Sequence, residues 1–375
     1  PATTASDGIV GSAGSPSCNP PAYACYAGAL LRVWDTNVQP ALSDQWNLTV
    51  QHQFWGNTTV QLGYVGQRGT HLMVPFSYSQ RQLLTPSATC PAPCTASSPF
   101  FANNPQLLGT ISKYTSGTQS NGNMTYNALQ AVLQKQMSNG LQYQVAYTYS
   151  KCMTNNSGYY GSWGAQATTA SPYWQNIYDP KAEWAPCYYD ATHILTSYAI
   201  YELPIGRGKA IGNDMNRVVN TIVGGWTISP ILSLHTGFPM TPYGSGDQSG
   251  TNSRSSRPNC NSIASVQGRV AGSGFNGIQW FTNNGNFSIP SVGTFGTCPG
   301  QLGWLRGPGY GDLDLSLQKN FQLTERFKLQ FRTDFVNTFN RVNLNAPDMG
   351  LGATMGQIKS AQDPRNIQFA LKFYY

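Results

Sequence analysis

The chain has 375 residues, of which only 10% are charged and 12% aromatic, and its formal net charge is +7. A typical soluble domain carries about 25% charged residues, while the absence of any apolar run of about 18 residues excludes a transmembrane helix. The basic residues are scattered, which excludes a nucleic-acid footprint. Low charge with dispersed apolar and aromatic residues fits strands that cross a bilayer with an apolar side chain at every second position. A secreted all-β protein shares that composition, so the strand pattern has to separate the two. The chain opens at Pro1 without a signal peptide, and an export signal is expected to have been removed.

In chain order, residues 1–41 are expected to be a leading segment, either an extracellular loop or a partial strand within 30–35. Residues 42–375 are expected to be barrel. Trp46, Leu48, Val50 and Phe54 alternate with Asn47, Thr49, Gln51 and Gln53. Val60, Leu62 and Tyr64 mark a second strand. Leu129, Ala131, Leu133 and Met137 oppose Gln130 and Gln134, and Leu141, Tyr143, Val145, Tyr147 and Tyr149 oppose Gln142, Gln144, Thr148 and Ser150. Residues 191–203 are strand-like with an ambiguous inward face. Trp226, Ile228, Leu232 and Leu234 alternate with Thr227, Ser229, Ser233 and His235, and Leu313, Leu315 and Leu317 with Asp312, Asp314, Ser316 and Gln318. Phe327, Leu329, Phe331 and Phe335 share a face opposite Lys328, Gln330, Arg332 and Asp334. Finally Ile367, Phe369, Leu371, Phe373 and Tyr375 oppose Gln368, Ala370 and Lys372. A period of two over about ten residues is the length needed to span a bilayer at a tilt.

A soluble sandwich would bury the apolar faces but would rarely keep charged and amide groups in register on the opposite faces. A watery or plugged lumen accounts for them. The connections alternate: short turns near 55–57, 138–140 and 322–324 and a middling one from 204 to about 220, against long polar stretches at about 67–123, 152–190, 237–310 and 340–364. That is the arrangement of an antiparallel transmembrane β-barrel with its long loops outside the cell. The pattern gives nine strands, or ten with residues 30–35. An open sheet would expose an edge to lipid, so the strands either close as a small barrel or belong to a larger one, and the larger one is preferred.

The eight cysteines sit near strand ends or outside the strands. Nearest-neighbour pairing of Cys18 with Cys25, Cys90 with Cys94, Cys152 with Cys187 and Cys260 with Cys298 would staple the loops. Zinc at Cys90 and Cys94 lacks a second ligand pair, so no metal is expected. No catalytic site emerges: His52, His71, His193 and His235 lie on or near strands without a nucleophile turn. The Gly206-Arg207-Gly208-Lys209 segment is too short for a phosphate loop and suits a periplasmic turn. No cofactor is expected. Asp312 and Asp314 are expected to face inwards and pair with Lys328 or Arg332. The loop 152–190 concentrates aromatic residues. Tyr159, Tyr160, Trp163, Tyr173 and Trp174 are the ligand-binding candidates, because Tyr and Trp give rigid contact area with a polar handle. Tyr188 and Tyr189, beside a strand, fit an interfacial girdle.

In addition, several blocks resemble one family. They are Gln45-Trp46-Asn47-Leu48-Thr49-Val50-Gln51, Gly63-Tyr64-Val65-Gly66-Gln67-Arg68-Gly69, Tyr147-Thr148-Tyr149-Ser150-Lys151, Gly224-Gly225-Trp226, Thr236-Gly237-Phe238-Pro239, Arg306-Gly307-Pro308-Gly309-Tyr310 and Phe335-Val336-Asn337-Thr338-Phe339-Asn340. Their order over some 330 residues is similar to the C-terminal barrel portion of TonB-dependent outer-membrane receptors, of the large acidobacterial type with an N-terminal carboxypeptidase-regulatory-like domain. The resemblance implies a barrel of about 22 strands around a plug. It also implies uptake of a nutrient driven through a TonB-type energy-coupling complex, with outer-membrane lipid and the barrel assembly machinery as partners. The plug is not recognisable in these residues and would lie elsewhere, on the same polypeptide or a companion chain. The aromatic end at Phe373 and Tyr375 is similar to the family's assembly signal. A surface interaction protein built from the same barrel, or a passive pore, is the alternative.

Overall fold

The structure is a computed structural model that describes residues 32–108, 116–156, 173–244, 246–263 and 277–375. Its main feature is a meander of nine long antiparallel strands in chain order: β1 (Leu42–Phe54), β2 (Thr58–Phe76), β3 (Ser116–Ser138), β4 (Leu141–Thr154), β5 (His193–Glu202), β6 (Trp226–His235), β7 (Tyr310–Gln322), β8 (Lys328–Val336) and β9 (Asn366–Tyr374). Each pairs with its sequence neighbour, from β1–β2 to β8–β9. Among the described residues the outer edges of β1 and β9 are unpaired and the barrel is not closed. No described helix is long and apolar enough to cross a membrane.

The register carries the two faces across the sheet. Opposite residues share a face, so Leu48, Tyr64, Leu129 and Tyr149 form one row and Val50, Leu62, Ala131, Tyr147 and Leu195 the next. On the other half Pro230, Leu315, Phe335 and Ile367 continue the same surface. Phe369 on this surface is 72% exposed and Leu48 69%. A row of large apolar groups left bare is unstable in water and correct in lipid. The opposite face carries Gln144, Thr196, Ser233, Asp312, Gln318, Arg332 and Lys372. Within the first hairpin Trp46 lies flat over Gly66, where any Cβ would collide with the indole; this is why the Gly-Tyr-Val-Gly block needs its second glycine.

Two lysines interrupt the apolar face at its periplasmic end. Lys135 bends to the turn after β1, its Nζ donating to Gly56 O at 2.6 Å. Lys319 donates to Ile222 O at 3.0 Å and to Gly224 O. Long basic side chains at a membrane edge reach back to polar partners in this way.

Three features differ from the sequence reading. The strands β2 and β3 run on to Phe76 and back to Ser116, well into what reads as loop. The extension Ser116-Gly-Thr-Gln-Ser-Asn-Gly-Asn123 has no apolar alternation because it stands beyond the lipid, where pairing of backbone groups is enough. Arg32–Trp34 is a three-residue strand parallel to the outer end of β3, not a tenth membrane-crossing strand. The pairing of Asp312 and Asp314 with Lys328 or Arg332 is not made. Register places Gln318 opposite Arg332 and Gln322 opposite Lys328. Arg332 pairs instead with Asp334 two residues on at 2.8 Å, while Asp312 accepts from Tyr310 Oη at 3.2 Å and Asp314 from Asn337 N at 2.9 Å.

Candidate functional site: the extracellular loop layer

The long connections do not wave separately. Residues 236–310 and 340–365 share an apolar core of Met240, Phe281, Phe287, Leu302, Leu305, Met349 and Met355, all nearly or fully buried. Sequence composition hides this core because its members are scattered over long polar stretches without a sustained strand or helix period. The blocks around Gly237 and Gly307 meet where this layer joins the barrel. Gly307 N donates to Phe238 O at 2.9 Å, and a Cβ on Gly237 would run into the Gly307 carbonyl. Asn337, at φ 52°, closes the turn after β8 by binding Arg341 through both its amide groups; asparagine tolerates this left-handed backbone.

A buried polar network ties three loops together. Gln80 Nε2 donates to Gln175 O at 2.7 Å, and its Oε1 accepts from Ile177 N at 3.1 Å. Gln175 in turn donates through Nε2 to Gly296 O at 2.8 Å, and its backbone N–H reaches Glu183 Oε1 at 2.8 Å. Glu183 forms an ion pair with Arg257, their side chains 2% and 4% exposed. A second ion pair joins Asp190 to Arg306 at 2.7 Å. Neither the network nor these pairs is legible in the sequence, since their members are far apart in the chain.

The described disulfides are Cys90–Cys94, Cys152–Cys187 and Cys260–Cys298, as nearest-neighbour pairing expects. The latter two close spans of 35 and 38 residues, for which restriction of the unfolded chain is worth about 4 kcal/mol each. Cys18 and Cys25 lie outside the described residues, as do Tyr159, Tyr160 and Trp163.

Tyr173 and Trp174 are inside the layer, not on its surface. Trp174 Nε1 donates to Asn155 O at 2.6 Å, and its ring meets Phe76 edge-on. The guanidinium of Arg254 sits 4.1 Å from the Tyr173 ring centroid. One edge of Trp174 nevertheless lines a cavity of about 840 Å³ at the outer end of β2–β4, together with Arg68, Phe76, Asn123, Lys181 and Trp184. Ring faces and apolar groups stand there beside amides and two cations. Burial pushes up the phenol pKa of Tyr178, whose Oη donates to Gln80 O at 2.9 Å, so it remains a neutral donor. Burial, with Tyr188 and Asp190 nearby, does the same for Tyr189. Burial alone would raise the Asp348 carboxyl, but hydrogen bonds from Thr354, Gly350 N and Tyr243, with Lys359 nearby, outweigh it and hold the group below the usual carboxylate range. Phe373 and Tyr375 end the chain with exposed rings at the periplasmic rim.

A bilayer-facing apolar surface, a polar opposite face, short turns at one end and stapled loops at the other define an outer-membrane β-barrel protein. The family model described as "Outer membrane beta barrel domain" matches residues 1–368, and the chain belongs to that family. No curated protein matches it. Similar solved structures include the outer membrane transporter YddB from Escherichia coli, at 7% identity, TM-score 0.46, covering 93% of this chain and 34% of that one. The ferric-catecholate import receptor Fiu from E. coli K12 matches at 10% identity and TM-score 0.39, over 91% of this chain and 28% of its own. The pyoverdine receptor FpvA from Pseudomonas aeruginosa PAO1 matches at 12% identity and TM-score 0.39, over 90% and 30%. The chain thus spans about a third of the length of these structures.

Proposed function

We propose that this chain is the C-terminal wall of a TonB-dependent receptor that takes up a nutrient. In this reading β1 and β9 pair with further strands of a larger barrel, and a plug fills the polar face. Nine strands with both edges bare support it, because an unpaired edge in lipid leaves backbone groups unsatisfied. The observation that carries the receptor reading is the ring-lined cavity, which opens among disulfide-stapled loops at the extracellular end. Its mixture of Trp174, Trp184, Phe76, Asn123, Arg68 and Lys181 suits a carbohydrate, peptide or siderophore-like ligand, with ring or apolar faces and hydrogen-bonding edges. Tyr159, Tyr160 and Trp163, which fall between Cys152 and Cys187 in the sequence, are proposed as further ligand-binding residues.

The test is uptake by intact cells of labelled carbohydrates, peptides and ferric siderophores, with and without a protonophore. Trp184, 39% exposed at the cavity, is the residue to remove. Trp184→Ala is expected to raise the half-saturation concentration about tenfold, the effect of losing about 1.4 kcal/mol of ligand contact. Protonophore should abolish uptake. Uptake that ignores the protonophore would contradict energised transport, and unchanged half-saturation would remove the cavity from ligand binding.

A further inference from the structure

The connection between β5 and β6 contains a seven-residue helix, Arg217–Val223. Its amphipathicity is inverted relative to a helix packed on a protein in water. Val218 is 71% and Ile222 67% exposed, and Val219 and Val223 are also exposed. The contacts toward the protein are polar. Asn220 Oδ1 accepts from Arg207 N at 2.7 Å and rests against Gly206 and Gly224. Asn216 caps the first turn by accepting from Val219 N at 2.9 Å.

The anchor point says which side of the wall the helix occupies. Its terminal carbonyls meet Lys319 and Trp226: Lys319 Nζ binds Ile222 O and Gly224 O, and Trp226 Nε1 donates to Ile222 O at 3.0 Å. These two residues are opposite each other in the register. Both belong to the apolar surface, Trp226 two residues from Ile228, and Lys319 between Leu317 and Phe321. Lys319 is 2% exposed, its charge satisfied by the negative end of the helix and by the rings of Trp226 and Phe321. The exposed valines and isoleucine therefore continue the lipid-facing band past the last turn of the barrel.

We propose that Arg217–Val223 is an interfacial helix that lies in the periplasmic leaflet of the outer membrane, with Val218, Val219, Ile222 and Val223 among the phospholipid acyl chains. Its polar side is turned to the barrel rim, and Lys319 is the pin that fixes its height. Helices of this kind bind an interface through one buried apolar face. Placing four apolar side chains in lipid removes the cost of leaving them in water, which the barrel itself does nothing to offset.

The test uses the full receptor reconstituted in phosphatidylethanolamine and phosphatidylglycerol vesicles. The variants Ile222→Cys and, separately, Val218→Cys are labelled with an environment-sensitive maleimide dye. The expected result at both positions is blue-shifted emission, quenched by doxyl-labelled phospholipid and protected from iodide. Iodide quenching without doxyl quenching would place the helix in water and overturn the proposal. Protection from both quenchers would mean that a protein surface covers the helix, which overturns it equally. If one cysteine variant fails to fold, the other gives the reading on its own.

Discussion

Replacing Arg257 by methionine is expected to destabilise the extracellular layer by about 3–5 kcal/mol, the cost of leaving one member of a buried ion pair without its partner. Glu183 is 2% exposed and its other oxygen accepts from Gln175 N, so the variant leaves the carboxylate buried without the guanidinium that it faces. The loss should spread through Gln175 to Gln80 and Gly296, because these groups hold three loops in one network. Trypsin applied to intact cells should then cut the loops of the variant at temperatures where the parent resists. The barrel itself should keep its heat-modifiable mobility on a gel, since none of these residues lies in the membrane-spanning pairing. Adding Glu183→Gln to Arg257→Met should recover part of the loss, as it removes the stranded charge and leaves the acceptor for Gln175. Equal protease resistance in the single variant and the parent would show that the ion pair does not hold the layer.

The second large effect separates the two faces of the wall. Phe369→Arg places a cation on the apolar surface in the middle of β9, next to Phe331, whose ring centroid is 6.5 Å away. The expected cost is about 2–4 kcal/mol, as for a basic residue near the bilayer midplane. Gln368→Arg, one residue earlier and opposite Asp334, should change stability by less than about 1 kcal/mol, because it enters the polar face beside a carboxylate. The comparison is made by urea unfolding in phospholipid vesicles. The reverse order of sensitivity would turn the sheet inside out.

Much of this architecture was readable from alternation alone. The residues that a bilayer requires to be apolar recur at every second position, so the sequence of β7 to β9 states both the strand and the direction of each side chain. The loop side was legible only as lengths and cysteines. Cys152–Cys187 and Cys260–Cys298 follow from proximity in the chain, whereas Glu183 with Arg257, Gln80 with Gln175, and Met240 with Phe281 and Met355 meet through tertiary folding of long segments. A period of two exists only where a sheet faces two solvents. Above the membrane each backbone group can be satisfied by any neighbour or by water, and no simple repeat records the outcome. Trp174 shows the limit for the site: its aromatic character marks a packed residue as readily as a binding one, and the structure gives it an indole hydrogen bond to Asn155 and one edge on the cavity. The Asp312 and Asp314 partners failed for a narrower reason, because opposite charges on neighbouring strands do not by themselves fix register and Gln318 is the residue that faces Arg332.

The most direct test of the account is the electrophoretic behaviour of the native outer-membrane protein, boiled and unboiled, detected through an antibody to β9. A boiled band well above the 40.8 kDa of these 375 residues is expected, with a faster unboiled band from a folded barrel that includes strands beyond β1. A boiled band at that mass with no change of mobility on heating would contradict it, since these strands would then form no closed barrel and could not serve as the wall of a receptor.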